Sequence, residues 1–471
     1  MNIKHTYLLL FFIVLTASSC KKSFLELAPA SNANAEIFYK TKADMELAVN
    51  AAYSTLYTIY DPEGPVSYTS EMMGDNTTLY IIAGNQTDKF AFKDYNVKTN
   101  NTLVYSFWKS YYAALYSINI VISKLEASDL NATEKENVKA QMLFLRGLYY
   151  FNMVRHWGEI PIVTTPLTVE ETYQVLRSPQ EDVYKLIIDD LKYAAEKLPA
   201  SVVGRASQAA ALTALGEVYL TRNDKENAKT ALNAVYQSNL YKLQSSYSAV
   251  FGPNVKNTQE SIFEIQHLGG ASSVSTNTYS KYYRFYSPNV NLFGFGGIGM
   301  NQVTDDLYNE YESGDPRREV SIALGFQNGA VFQEQKYPIK WVDLTATKVD
   351  NTVLANNNFM IYRYADVLLM LSEATGDPIY LNAVRARAGL PLFGTAAYPS
   401  AKYPTLELAL EHERRVELAI EFHRWFDLKR TGRAVQVLTA KGKPVTAEKL
   451  LLPIPEIVRL QNSNITQNPG Y

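Results

Sequence analysis

Cysteine is almost missing: Cys20 is the one thiol in 471 residues, so neither a disulfide framework nor a cysteine-ligated metal can hold this chain together. Histidine is nearly as scarce. Of five, only His156, His267, His412 and His423 lie beyond the N-terminal segment, and none stands two to four residues from another. With no H-x-x-x-H or H-E-x-x-H spacing, zinc chemistry and a histidine base have no support. No G-x-S-x-G nucleophile elbow occurs. There is no basic stripe, and net charge is −2, which removes the electrostatic footprint of a nucleic-acid binder. Long hydrophobic runs are lacking too, since the apolar stretch Tyr7–Ala17 is too short to span a bilayer.

Aromatic residues are plentiful: 34 Tyr, 20 Phe and 4 Trp. Tyrosine joins an apolar face to a hydroxyl, which suits helix packing and wet binding surfaces alike. Length admits two or three domains, or one extended helical array. The N-terminus is the sharpest local signal. Lys4-His5, the apolar run and the small residues Ala17-Ser18-Ser19 precede Cys20, an arrangement that resembles a bacterial lipoprotein box with Ala17 where Leu is commoner. Residues 1–19 are therefore expected to be a signal peptide, and Cys20 the lipidated first residue of the mature chain. Residues 20–40, small, polar and aperiodic (Ala-Pro-Ala-Ser-Asn-Ala-Asn), read as a tether.

Amphipathic helices follow. Thr41 can cap a helix bearing Met45, Ala48, Val49, Ala52 and Leu56 at spacings of three and four. Trp108 to Leu125 repeats the pattern. Thr133 and Glu136 are spaced as a capping box for the next helix. Pro179 fits a first helical position, and Pro199 a stop. Ala209–Thr221 and Asp224–Gln237 read as a tight hairpin, the unit of tetratricopeptide arrays. Helical periodicity returns over Ile361–Ala374 and Leu406–Lys429. Two loop-rich insertions interrupt this scaffold, about 61–101 and 252–358, the second holding short strand-like pieces such as Ser261–Gln266. The fold class is thus mostly α: helical pairs with insertions and a few short strands over 41–471.

Gly294-Phe-Gly-Gly-Ile-Gly299 spells a dinucleotide pattern, but no strand precedes it and no helix follows, so it reads as a loop and no cofactor is expected. The densest charged motif begins at Glu413-Arg414-Arg415 and runs through Glu417, Glu421, His423, Arg424, Asp427 and Lys429 to Arg430. Three glutamates four apart on one helical face repel unless cations answer them, so this motif reads as an ion network. A pair of distant carboxylates assembled by the fold is the route left open to a hydrolase.

That motif, Glu-Arg-Arg-x-Glu-Leu-Ala-x-Glu-x-His-Arg-Trp-Phe-Asp-Leu-Lys-Arg, resembles a signature of the SusD/RagB family of outer-membrane nutrient-binding lipoproteins. Leu145–Pro161, Asp315-Pro-Arg-Arg318, Arg363–Met370, Asn382–Gly389 and Gln467–Tyr471 resemble further segments of it, in order. The resemblance implies a non-catalytic protein on a tetratricopeptide-like (SusD-like) frame. It implies surface attachment to the outer membrane by lipid and a SusC-like TonB-dependent transporter as partner. The cargo it implies is an oligosaccharide, with a peptide as the alternative in the RagB branch and a surface glycoside hydrolase as a remoter one. Two departures stand out: Lys21-Lys22 follow Cys20 where acidic residues favour surface export, and the chain is short between Glu373 and Asn382.

A sugar ring needs a flat aromatic platform with polar partners at its rim. The insertions offer Tyr279, Tyr282, Tyr283 and Tyr286 with Asn277 and Arg284, and Asp75, Asn76 and Tyr80. These are the candidate ligand-binding residues; no catalytic or metal-ligating set is expected. Cys20→Ala should release the chain from the membrane fraction without altering its melting temperature. Persistence of the mutant in the outer-membrane pellet at high salt, without a partner present, would contradict lipidation.

Overall fold

The computed structural model describes residues 38–80, 86–270, 278–289, 291–292, 295–349 and 352–471; the expected signal peptide, Cys20, Asn277 and Gly294 lie outside them. Thr41 opens α1 (Lys42–Ser54) with a reciprocal capping box to Asp44. The short strand β1 (Thr77–Thr78) precedes α2 (Thr102–Lys124). α3 (Ala132–Trp157) is capped by Asn131 and Glu134, two residues before the expected pair, because the Asn131 side chain reaches the Glu134 amide first. α4 (Gln180–Lys197) has Pro179 at its N-cap, one position ahead of expectation, and ends before Pro199. α5 (Gln208–Thr221) and α6 (Lys225–Gln237) form the hairpin, with Asn223 at φ +58° and Asp224 capping α6.

After β2 (Ser261–Ile265), the one-turn α7 (Tyr282–Tyr286) and β3 (Gln302–Val303), strand β4 (Phe359–Arg363) pairs antiparallel with β2. α8 (Tyr364–Thr375), α9 (Pro378–Arg387), α10 (Leu406–Glu417), α11 (Arg424–Arg430) and α12 (Glu456–Gln461) complete the chain. Each helix packs on its chain neighbour from α1 to α6, α6 then packs on α8, and α8 on α9 and α10. Gly216 permits the α5–α6 approach, since a Cβ there would lie 2.4 Å from Leu232. The short link expected after Glu373 is the two-residue turn Gly376-Asp377, with Gly376 at φ +72°.

Three local expectations are corrected. Ile361–Arg363 are strand and not helix: all three side chains are buried, and Glu260 accepts the Tyr364 amide at 2.8 Å where the helix starts. Leu406–Lys429 is not one helix either. It breaks at Leu418–His423, where Ile420 and Phe422 take φ of +62° and +72°, so Glu421 leaves the face it would share with Glu413 and Glu417. The first insertion is also no surface loop over its first third. Residues 64–77 are buried, and Tyr68–Met72 coil as a π-helix against α11.

The break delivers Glu421 to a buried ion lattice. Arg363 donates to Glu417 at 2.6 Å, to Glu421 at 2.7 Å and to Glu260 at 2.8 Å. Arg317 bridges Asp315, Glu413 and Glu417 at 2.8, 2.5 and 3.0 Å. Arg385 joins Glu312 to Glu413, Lys340 meets Glu421, and Arg387 pairs with Glu417. Arg414 clamps Asp366 and Asp427. Burial pushes the Glu417 carboxyl up, but Arg387, Arg363 and Arg317 outweigh it and hold the group well below the carboxylate range.

Removing one partner from such a lattice strands its counter-charges, which costs about 3–5 kcal/mol. Glu417→Ala should lose that much in denaturant unfolding, whereas Lys185→Ala, which breaks a solvated pair with Asp189, should leave stability nearly unchanged. Because the Glu417 value lies below its unfolded one, its stabilisation is complete above about pH 4.3 and fades as pH falls toward the folded value. Equal losses in the two variants would refute the lattice's role.

Candidate functional site

The two insertions meet. β1 pairs antiparallel with β3, Thr77 opposite Val303 and Thr78 opposite Gln302. Gly299 accepts the Tyr80 amide at 3.2 Å, and Asn76 accepts the Thr304 amide at 3.0 Å. Beneath this seam the Thr77 hydroxyl donates to Asn301, whose Nδ2 donates to Ser67, itself 3.2 Å from the Tyr286 hydroxyl. The Gln302 side-chain amide donates to the carbonyls of Tyr286 and Met300 at 2.8 and 2.9 Å, which leaves its Oε1 to accept from Gln335.

Above the seam a cleft of about 560 Å³ is lined by Thr78, Tyr80, Gln302, Asp305, Gln335 and Lys336, among others. Tyr80 is 49% exposed at its edge. Lys336 bonds Asp305 at 2.9 Å and lies 5.3 Å from the Tyr308 ring centre. Phe332, also exposed, precedes the cleft residues Glu334–Lys336 in the chain. An aromatic edge beside amides and paired charges can stack an apolar face and bond its rim hydroxyls.

The sequence candidates divide sharply. Tyr80 stands in the cleft; Arg284 is exposed but does not line it, its carbonyl accepting the Ile298 amide at 2.9 Å. Tyr279 is half-buried in a small recess with Tyr57, His267 and Lys281. Tyr282 and Tyr286 are not a platform. They are 1% and 0% exposed, and Tyr282 stacks on Phe359 at 4.9 Å while its hydroxyl donates to the Tyr60 carbonyl. Their four-residue spacing is that of a helix face, and α7 turns it inward. Asn277 and the Tyr283 side chain lie outside the description.

Asp75 and Asn76 are likewise structural. Asp75 is buried between Arg424 at 2.7 Å, Lys441 at 2.6 Å and Arg415 at 3.2 Å. Burial opposes its ionisation, yet Arg415 and Arg424 hold its carboxyl well below the usual range. Arg415 also donates to the Asn76 side chain at 2.9 Å. These contacts tie the root of the first insertion to α10 and α11. Gln302, Asp305, Gln335 and Lys336 were missed as candidates, because long-range strand pairing alone brings them to Tyr80. Carboxylates of the lattice are each answered by arginine or lysine. Glu312, His412 and Glu413 come within 4.8 Å of one another, but Arg385 already bridges the two glutamates.

Residues 23–220 match the family model described as starch-binding and associating with the outer membrane, and residues 327–471 match that of the SusD family. SusD-like protein P2 of Formosa agariphila is 29% identical, across 98% of this chain and 99% of that protein. A SusD-like protein of Bacteroides ovatus is 25% identical across 87% and 79%. Among solved structures, a laminarin-binding SusD-like protein superposes with a TM-score of 0.79 at 27% identity, covering 92% of this chain and all of that one. The chain therefore belongs to the SusD/RagB family, whose members bind nutrients at the outer membrane and are not enzymes. Among the described residues no helix is long and apolar enough to cross a membrane.

One buried acid at the root of the first insertion resists ionisation. Glu71 is fully buried; its Oε1 accepts the Phe422 amide at 2.9 Å, and its Oε2 has no partner among the described residues. Burial pushes its carboxyl up to about 7, against the pull of the Phe422 amide. A folded value above the unfolded one of about 4.3 makes stability fall as pH rises between the two. Glu71→Gln should therefore raise the melting temperature at pH 8 and leave it unchanged near pH 4.5. A variant less stable than wild type at pH 8 would contradict the raised value of this acid.

Proposed function

We propose that this protein is a lipid-anchored outer-membrane receptor. It captures an oligosaccharide in the cleft around Tyr80 and passes it to a SusC-like TonB-dependent transporter. The observation that carries this reading is the cleft itself: a half-exposed tyrosine beside the amides and paired charges of Gln302, Gln335, Asp305 and Lys336, on a face built by both insertions. The starch-binding description of the family and the laminarin-binding structural relative support a glycan as cargo. A surface glycan-binding protein of Bacteroides thetaiotaomicron, solved with laminarihexaose, shares the fold at a TM-score of 0.78.

The chemistry of handover favours modest affinity. One aromatic platform is worth roughly 1–3 kcal/mol by analogy with bases stacked on aromatic side chains. Added to a few rim hydrogen bonds, this gives dissociation constants of about micromolar to millimolar. Lipidation at Cys20 supports surface or periplasmic attachment, and a tethered receptor can hold cargo weakly without losing it to the medium.

Calorimetry against a panel of α- and β-glucan oligosaccharides and of peptides tests the reading. At least one oligosaccharide should bind, and Tyr80→Ala combined with Gln335→Ala should weaken it at least tenfold with the melting temperature unchanged. No sample should be hydrolysed at long times. Binding of peptides alone, or full-strength glycan binding by the double variant, would overturn the proposed cargo or the proposed cleft respectively.

A further inference from the structure

Helix α2 is apolar on two faces. Val104, Phe107, Tyr111, Leu115 and Ile118 enter the core, while Tyr105, Trp108, Tyr112 and Tyr116 form a second stripe at spacings of three and four, of which Trp108 is itself buried against Trp157. This second stripe floors a largely apolar groove of about 300 Å³, walled by residues that include Val175, Val458 and Ile465. Tyr116 and Tyr173 at its rim are 52% and 46% exposed. Lys109 stands exposed on the same stripe and has no carboxylate partner among the described residues.

The described chain begins beside this groove. Phe38 and Tyr39 pack against the core, Tyr39 lies near Tyr116, and Lys40 accepts the Asp129 amide at 2.8 Å. Immediately upstream in sequence, outside the described residues, stands one apolar cluster, Phe24-Leu25-Glu26-Leu27, followed by Ala28-Pro29. Proline biases the residue before it toward extended backbone. Four extended residues span about 13 Å. The Tyr105–Tyr116 stripe is about 16 Å long at the helical rise of about 1.5 Å per residue. The residues between Leu27 and Phe38 reach farther than the whole stripe.

We propose that the groove on α2 seats the chain's own segment Phe24–Leu27, its apolar side chains on the tyrosine stripe and Glu26 opposite Lys109. The single acidic residue of the cluster and the single cation of the stripe fix its register. With the segment seated, Cys20 lies four residues from the groove, at most about 14 Å away. If Cys20 is lipidated, the groove face is then turned to the membrane, and the body no longer swings on a long tether. That consequence rests on the anchor; the docking itself does not.

The test uses the full mature chain carrying Cys20→Ser, in which no other thiol exists. Adding Glu26→Cys and Lys109→Cys should give, on mild oxidation, a monomeric species with an intramolecular disulfide. Glu26→Cys paired with Lys225→Cys, on α6, should not close. As a second measurement, Phe24→Ala/Leu25→Ala/Leu27→Ala should accelerate amide hydrogen exchange over 161–175 at least tenfold and raise binding of a hydrophobic dye. A disulfide-linked dimer would assign the groove to a second copy, and slow exchange appearing only after the transporter is added would assign it to that partner. Either result, or exchange unchanged by the triple substitution, overturns the proposal.

Discussion

Arg363 is the residue on which the architecture converges. It ends β4, and its guanidinium reaches Glu260 before β2, Glu417 at the end of α10 and Glu421 in the break that follows. A fully buried cation carries a desolvation cost of several kcal/mol that only close carboxylates with good geometry offset. The chain meets that requirement with strained backbone, holding Ile420 and Phe422 in left-handed conformations so that Glu421 can turn inward. The same break aims the Phe422 amide at Glu71, and with it the π-helical root of the first insertion.

From there the constraint passes outward to the surface. Arg415 and Arg424, on either side of the break, grip Asp75 and Asn76. Two residues further on, β1 pairs with β3 and sets Tyr80 at the cleft. The loop face is thus fastened to the helical frame by buried charge pairs. Such a division lets one helical frame carry different cargo sites, with binding groups on loops over a rigid support.

Helix pairs and their caps were legible because period and capping are local: Thr41, Asp224 and Gly216 act within one turn or one neighbouring helix. The ion network was legible as a demand, three glutamates needing cations, although the break that satisfies it was not. Helical spacing hid that break, since Arg363 and Lys340 are remote in sequence. The site was least legible. Tyr282 and Tyr286 looked like a platform by residue type, while their i, i+4 spacing already described a buried helix face. Asp75 looked like a sugar ligand because its arginines lie some 340 residues away. Gln302 and Gln335 come to line the cleft only through strand pairing, which leaves no trace in local sequence.

Hydrogen exchange with and without the strongest-binding oligosaccharide of the panel tests most directly whether a rigid lattice carries a separate ligand-bearing face. Protection should appear at 78–80, 302–305 and 334–336, while the largely buried segment 413–424 keeps its rates. Protection spread through 413–424, or confined to segments far from Tyr80, would contradict the account.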